Sequence, residues 1–131
     1  MAIPSGSGSE VLKAGFIDGC DGWTYIRWDQ AETADGNTSG TGTTAVPANC
    51  IITLLNMIFC QESGTDSLIS LRTEPAGAGV INILHHAGNP LPANKSFTYS
   101  ERLVLNAGDQ VIVYSNYGTD IVYSYIYQDW T

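Results

Sequence analysis

Much of the chain is written in short runs whose apolar residues fall at every second position, the period of a strand with two distinct faces. Between 97 and 105, Phe97, Tyr99, Leu103 and Leu105 share one parity, while Thr98, Ser100 and Arg102 take the other. The turn-formers Asn106-Ala107-Gly108-Asp109 follow, then an apolar run over 110–114. A second turn is predicted at 116–120, and the last strand at 121–128. Further strands are predicted over 11–17, 50–60, 68–72 and 80–85. The β-branched residues Ile51, Ile52, Thr53 and Ile58 favour strand over helix in 50–60. Strands at roughly 8–12-residue intervals, separated by Gly, Pro and Asn turns, predict an all-β chain folded as a single antiparallel β-sandwich, jelly-roll-like.

Two of these strands are apolar at both parities. In 50–60 the even positions give Cys50, Ile52, Leu54 and Ile58, and the odd ones Ile51, Leu55, Met57 and Phe59. In the last strand Ile121, Tyr123, Tyr125 and Tyr127 oppose Val122 and Ile126. A sandwich of this size has one interior, so each strand should keep one face wet. The second apolar face therefore calls for another copy of the chain. Tyrosine suits such a contact, because its ring packs while its hydroxyl still finds a partner. Ile51, Leu55, Met57, Phe59, Tyr123, Tyr125 and Tyr127 are accordingly expected to line an interface between copies.

Composition sharpens this. With 131 residues the chain has room for one domain. Residues 1–10, rich in Gly and Ser, read as a flexible arm and 11–131 as the sandwich. A Gly/Thr/Asn-rich stretch over 30–45 reads as a long surface loop. Only 14% of residues are charged, and the net charge is −8. A surface of that sign repels phosphate, which argues against nucleic-acid binding and against anionic membranes. The first residues lack the basic start and apolar stretch of a signal peptide, so synthesis in the cytosol is expected.

Candidate chemistry is sparse. Cys20, Cys50 and Cys60 are odd in number and contain no Cys-x-x-Cys pair, so free, mostly buried thiols are expected. His85 and His86 are adjacent, point to opposite faces of a strand, and read as a structural pair rather than metal ligands or a base. No Gly-x-Ser-x-Gly elbow or phosphate-cradling glycine loop occurs. Thirteen acids offer many carboxylate pairs and hence no specific one. The expectation is a protein that is not an enzyme and uses no metal or cofactor. Trp23-Thr24-Tyr25-Ile26-Arg27-Trp28 is the one segment suited to a ligand. Trp23, Tyr25 and Arg27 share a face, Thr24, Ile26 and Trp28 the other, and Trp23 and Trp28 are candidate contacts for a glycan or a protein.

Several segments together resemble a known group. These are Ala45-Val46-Pro47-Ala48-Asn49, the strand ending Asn56-Met57-Ile58-Phe59, Leu91-Pro92-Ala93-Asn94-Lys95-Ser96-Phe97, Leu103-Val104-Leu105-Asn106-Ala107-Gly108-Asp109 and the closing Tyr-Ser-Tyr strand. With the opening Met-Ala-Ile-Pro-Ser-Gly-Ser-Gly and the closing Gln-Asp-Trp-Thr, they resemble small tailed-phage virion proteins of marine and cyanobacterial hosts. The resemblance implies a jelly roll of the tumour-necrosis-factor type, a homotrimer, and a place on the capsid exterior or an appendage. The expected role is a capsid decoration (cement) protein that meets the major capsid protein or another virion protein. Ile3, Pro4, Val11 and Leu12 are the expected shell contact. The alternative is a receptor- or glycan-binding tip module of a fibre.

Overall fold

The computed structural model describes residues 9–28, 43–84 and 89–130. These form eight strands and no helix: β1 (Ser9–Tyr25), β2 (Cys50–Gln61), β3 (Ser67–Glu74), β4 (Ile81–Asn82), β5 (Asn89–Leu91), β6 (Lys95–Tyr99), β7 (Leu103–Leu105) and β8 (Gln110–Asp129). The chain is all-β, and its strands pair antiparallel throughout.

Strand β8 organises the molecule. Along one edge it pairs with β1 over nearly its whole length, from Ser9↔Asp129 to Tyr25↔Ile112. Along the other edge β2 takes its C-terminal half and β3 its N-terminal half. Strands β6 and β7 extend the sheet beyond β2, and β4 and β5 extend it beyond β3. The buried positions Val111, Val113, Ser115, Thr119, Ile121, Tyr123, Tyr125 and Tyr127 all share one parity. One inward side therefore runs the length of β8, and the sheet curls around a single core, as in a β-sandwich or jelly roll.

The curl is made at a corner. The register of β1 shifts between Ile17 and Cys20 and again before Gly22. Gly19 (φ 66°) and Gly22 (φ 89°) supply the left-handed backbone this needs. Opposite them, β2 ends at Gln61 and β3 begins at Ser67, while β8 passes between without a break. The sequence predicted a turn at 116–120, and 18–22 carries the same kind of turn-forming Asp and Gly residues. Both are instead bends inside continuous strands, because each keeps its pairing on either side.

A second correction concerns the face count in β2. Its register with β8 skips between Leu54↔Tyr125 and Asn56↔Ser124. The extra residue, Leu55, switches the inward parity: Ile52 and Leu54 point to the core before it, Met57 and Phe59 after it. Apolar residues at both parities thus serve largely one interior. The predicted strand over 80–85 shrinks to β4. Strand β5 was not foreseen, because Pro90 removes a ladder donor and disguises it. Ser9 and Glu10, expected in the arm, belong to β1, and the rest of the arm lies outside the described residues.

Candidate functional surfaces

The tyrosines expected between copies lie inside the chain. Tyr123 and Tyr125 stack on each other, with ring centroids 5.9 Å apart. The fully buried Trp28 meets both edge-on, at 6.0 Å and 5.0 Å. Tyr123 Oη donates to the Arg27 carbonyl at 2.9 Å, and Tyr127 Oη lies 3.4 Å from Cys50 Sγ. Burial pushes the Tyr125 phenol up to about 12 and raises that of Tyr127 as well, with Cys50 adding to the latter shift. Met57, Phe59, Tyr123, Tyr125 and Tyr127 are therefore core residues and cannot meet a second copy. Leu55 is half-buried at the bulge, and Ile51 alone of the seven sits on the outward parity of β2. Trp28, a candidate ligand contact, is likewise core. It pairs with Thr43 through two backbone hydrogen bonds that close the base of the long loop, whose residues 29–42 lie outside the described residues.

The apolar surface left outward is the opposite face of the same sheet. Register places Leu12, Ile126, Thr53 and Val104 in one row across β1, β8, β2 and β7. Ala14, Ser124 and Asn56 form the next row, and Phe16, Val122, Ile58 and Thr98 the third. No charged side chain interrupts these rows; Glu10 stands beyond one end and Asp120 beyond the other. Leu12 is 70%, Val104 56% and Val122 47% exposed. Val11 and Leu12 were expected to share a contact with the shell. As neighbours on a strand they point to opposite faces, so one flat contact cannot use both, and Leu12 belongs to this charge-free face. Ile3 and Pro4 lie outside the described residues.

A second surface occupies the other half of the sheet. Trp23, Tyr114 and Ser70 form one row over β1, β8 and β3, and Tyr25, Ile112 and Arg72 the row beside it. The alternation predicted for this segment holds, with Trp23 and Tyr25 outward and Ile26 and Trp28 inward. The Arg72 guanidinium lies 3.8 Å from the Trp23 ring centroid, and Trp23 and Tyr114 centroids are 4.7 Å apart. Tyr25 Oη donates to Glu74 at 3.3 Å; partial desolvation, followed by the Glu74 charge, raises the Tyr25 phenol.

The corner between the two halves is polar and sealed. Gln61, Ser67, Ser115 and Thr119 are buried. Ser115 Oγ lies 2.8 Å from Ser67 Oγ and 2.6 Å from Thr119 Oγ1, which also reaches Gln61 Oε1 at 3.3 Å. Gln61 Nε2 donates to the Thr65 carbonyl at 2.8 Å, and Asn116 Oδ1 accepts from the Leu68 amide at 2.7 Å. The network supplies partners to polar groups where the ladder is interrupted. Sequence reasoning missed it, since single Ser, Thr and Gln residues in bends carry no pattern.

All three cysteines are free and mostly buried, as expected: Cys20 and Cys50 are buried and Cys60 is exposed, and burial raises the Cys20 thiol. His85 and His86 lie outside the described residues. Among those described, no three His, Cys, Asp or Glu side chains converge to hold a metal, and no helix is long and apolar enough to cross a membrane.

No family model matches the chain, and no curated protein matches it. Solved structures similar to it include the infectious bursal disease virus Gx strain, at 10% identity and a TM-score of 0.44, covering 92% of this chain and 33% of that one. The Eiger TNF from S. frugiperda is similar at 15% identity and a TM-score of 0.34, covering 89% of this chain and 90% of that one. A carbohydrate-binding module from Cellvibrio mixtus lichenase 5A gives 19% identity and a TM-score of 0.28, covering 88% and 96%. The chain thus spans about a third of the length of the bursal disease virus chain it matches.

Proposed function

We propose that this chain is a structural component of a virus particle: a capsid decoration protein of a tailed phage, standing as a homotrimer on the outer surface of the shell. The observation that carries the reading is the charge-free outward face of Leu12, Phe16, Ile58, Val104, Val122 and Ile126. An exposed apolar face of this extent marks a place where protein packs on protein. Charged residues are depleted at the centre of such contacts, as they are here.

Net charge selects the occupant. A chain of −8 repels its own copy everywhere except where acids are absent. A basic partner would instead be drawn to the acidic remainder of the surface. The charge-free face therefore suits a second copy of this chain, and the phage-protein resemblance supplies the number three and closed symmetry. The work is attachment, which calls for no catalytic group, metal or cofactor. The segment before β1 would meet the major capsid protein. Imaging of particles with and without the chain tests the placement. Density for three copies about a local symmetry axis of the shell is expected; particles indistinguishable with and without it would refute the role.

A further inference from the structure

The surface around Trp23 lies on the other half of the sheet from the proposed assembly face and is not needed for it. Three of the seven tyrosines and tryptophans on β1 and β8 that could have been buried were; Trp23 and Tyr25 are each 40% exposed on an outer face. Two cross-strand bridges hold them, Trp23 to Arg72 and Tyr25 to Glu74, both spanning β8. Beneath these bridges Ser70 and Ile112 are sealed from solvent. The bridges set where the two rings stand on the outer face.

Two polar atoms here lack partners. Ser70 Oγ and Arg72 Nε are buried without a hydrogen bond. Each such group is costly to the fold while unmatched. Ser70 lies in the row of Trp23 across β8, and Arg72 in the row beside it with its guanidinium over the indole. A ligand that takes the place of the guanidinium on the ring would give both atoms a partner, provided it brings an apolar face and hydroxyls together.

We infer that this surface is a binding platform for a neutral saccharide, with a sugar ring stacked on Trp23 and its hydroxyls shared between Arg72, Ser70, Tyr25 and Glu74. The class follows from the chemistry of the platform. It offers aromatic faces, guanidinium donors and a carboxylate acceptor within two adjacent rows. A sugar has a C–H face for the rings and hydroxyls that both donate and accept. A proline-rich segment also docks on aromatic surfaces, but it brings carbonyl acceptors and few donors, which leaves Glu74 unanswered. A nucleobase would stack equally well, yet its phosphates are repelled by the net charge. Glu74 and the charge of −8 likewise disfavour sulfated and uronic-acid glycans.

The test is binding of the full chain to immobilised neutral hexose oligosaccharides, sulfated and uronic-acid oligosaccharides, and a proline-rich peptide. Wild type should bind a subset of the neutral sugars. Trp23→Ala should weaken this by about tenfold or more, Trp23→Phe should restore part of it, and Glu74→Gln should weaken it without changing the thermal melt. If Trp23→Ala does not fold, Trp23→Phe and Glu74→Gln carry the comparison. Folded wild type that binds no neutral sugar overturns the inference, as does sugar binding unchanged in Glu74→Gln and Trp23→Ala. Preference for acidic glycans, or peptide binding in place of sugar binding, also overturns it. None of these outcomes touches the assembly face, so the proposed virion role stands or falls separately.

Discussion

Gly15 and Tyr123 face each other across β1 and β8, and the phenol ring occupies the space a Cβ on Gly15 would fill. The missing side chain lets Tyr123 lie flat against the neighbouring strand and reach the Arg27 carbonyl. Gly15→Ala should therefore push the ring off its site and destabilise the fold by about 1–3 kcal/mol, as overpacking of a filled core does. Denaturant unfolding measures this. Combined with Tyr123→Leu, the two losses should be strongly non-additive, because the second change removes the atoms the new methyl meets.

The corner network gives a second expectation. Thr119 Oγ1 touches Ser115, Gln61 and the Tyr117 carbonyl in a site sealed from water. Thr119→Val keeps the shape and leaves those groups short of a partner. A loss of about 1–3 kcal/mol is expected by denaturant unfolding, against well under 1 kcal/mol for the exposed Thr98→Val.

Alkali should unfold the chain through its buried tyrosines. Tyr125 titrates near 12 in the folded chain against 10 when unfolded, and Tyr127 is raised in the same direction. The folded state holds these protons more tightly, so their contribution is complete below pH 10 and is lost as pH rises from there toward 12. Phenolate absorbance should show Tyr125 and Tyr127 ionising only with loss of the native β spectrum. Ionisation of Tyr125 near pH 10 with the fold retained would contradict the packing around Trp28.

Association should respond to salt in an unusual sense. Copies each carrying −8 repel, and the proposed contact contains no ion pair to weaken. Raising ionic strength from about 0.01 M to about 1 M, which shortens the screening length from roughly 30 Å to 3 Å, should shift the equilibrium toward the assembly. Sedimentation at the two salt levels reads this directly. Dissociation at high salt would point to a charged contact elsewhere.

The fold was legible wherever a strand kept its parity. Leu103 and Leu105 were readable as one face, and Trp23 and Tyr25 were correctly separated from Ile26 and Trp28. The class and the turn at 106–109 followed from the same pattern, and Asp109 closes that turn by accepting from the Asn106 amide at 2.9 Å. In β8 the two apolar parities do form two faces, with Val122 and Ile126 outward; what failed was the same inference for β2. A single inserted residue, Leu55, exchanges the faces of β2, and nothing in the local composition marks it. The tyrosine row misled for a different reason. Three phenols suggested a surface, but Trp28 packs edge-on against Tyr123 and Tyr125, the Tyr123 hydroxyl donates to the Arg27 carbonyl, and Tyr127 Oη lies against Cys50 Sγ. Such partners are distant in sequence and leave no periodic trace. The proposal of a second copy now rests on Leu12, Val122 and Val104, which were not singled out together and share the opposite face.

The central claim is that the tyrosine face belongs to the core and the face behind it holds the copies together. Light scattering on the purified chain, compared with Val122→Glu and Tyr125→Asp, tests it most directly. Wild type should have the mass of a trimer. Val122→Glu should give a folded monomer, since a carboxylate at the centre of that face meets its own counterparts. Tyr125→Asp should unfold the chain rather than release folded subunits, because it places an unpaired charge beside Trp28. A monomeric wild type, or a Val122→Glu variant that stays fully assembled, would contradict the account.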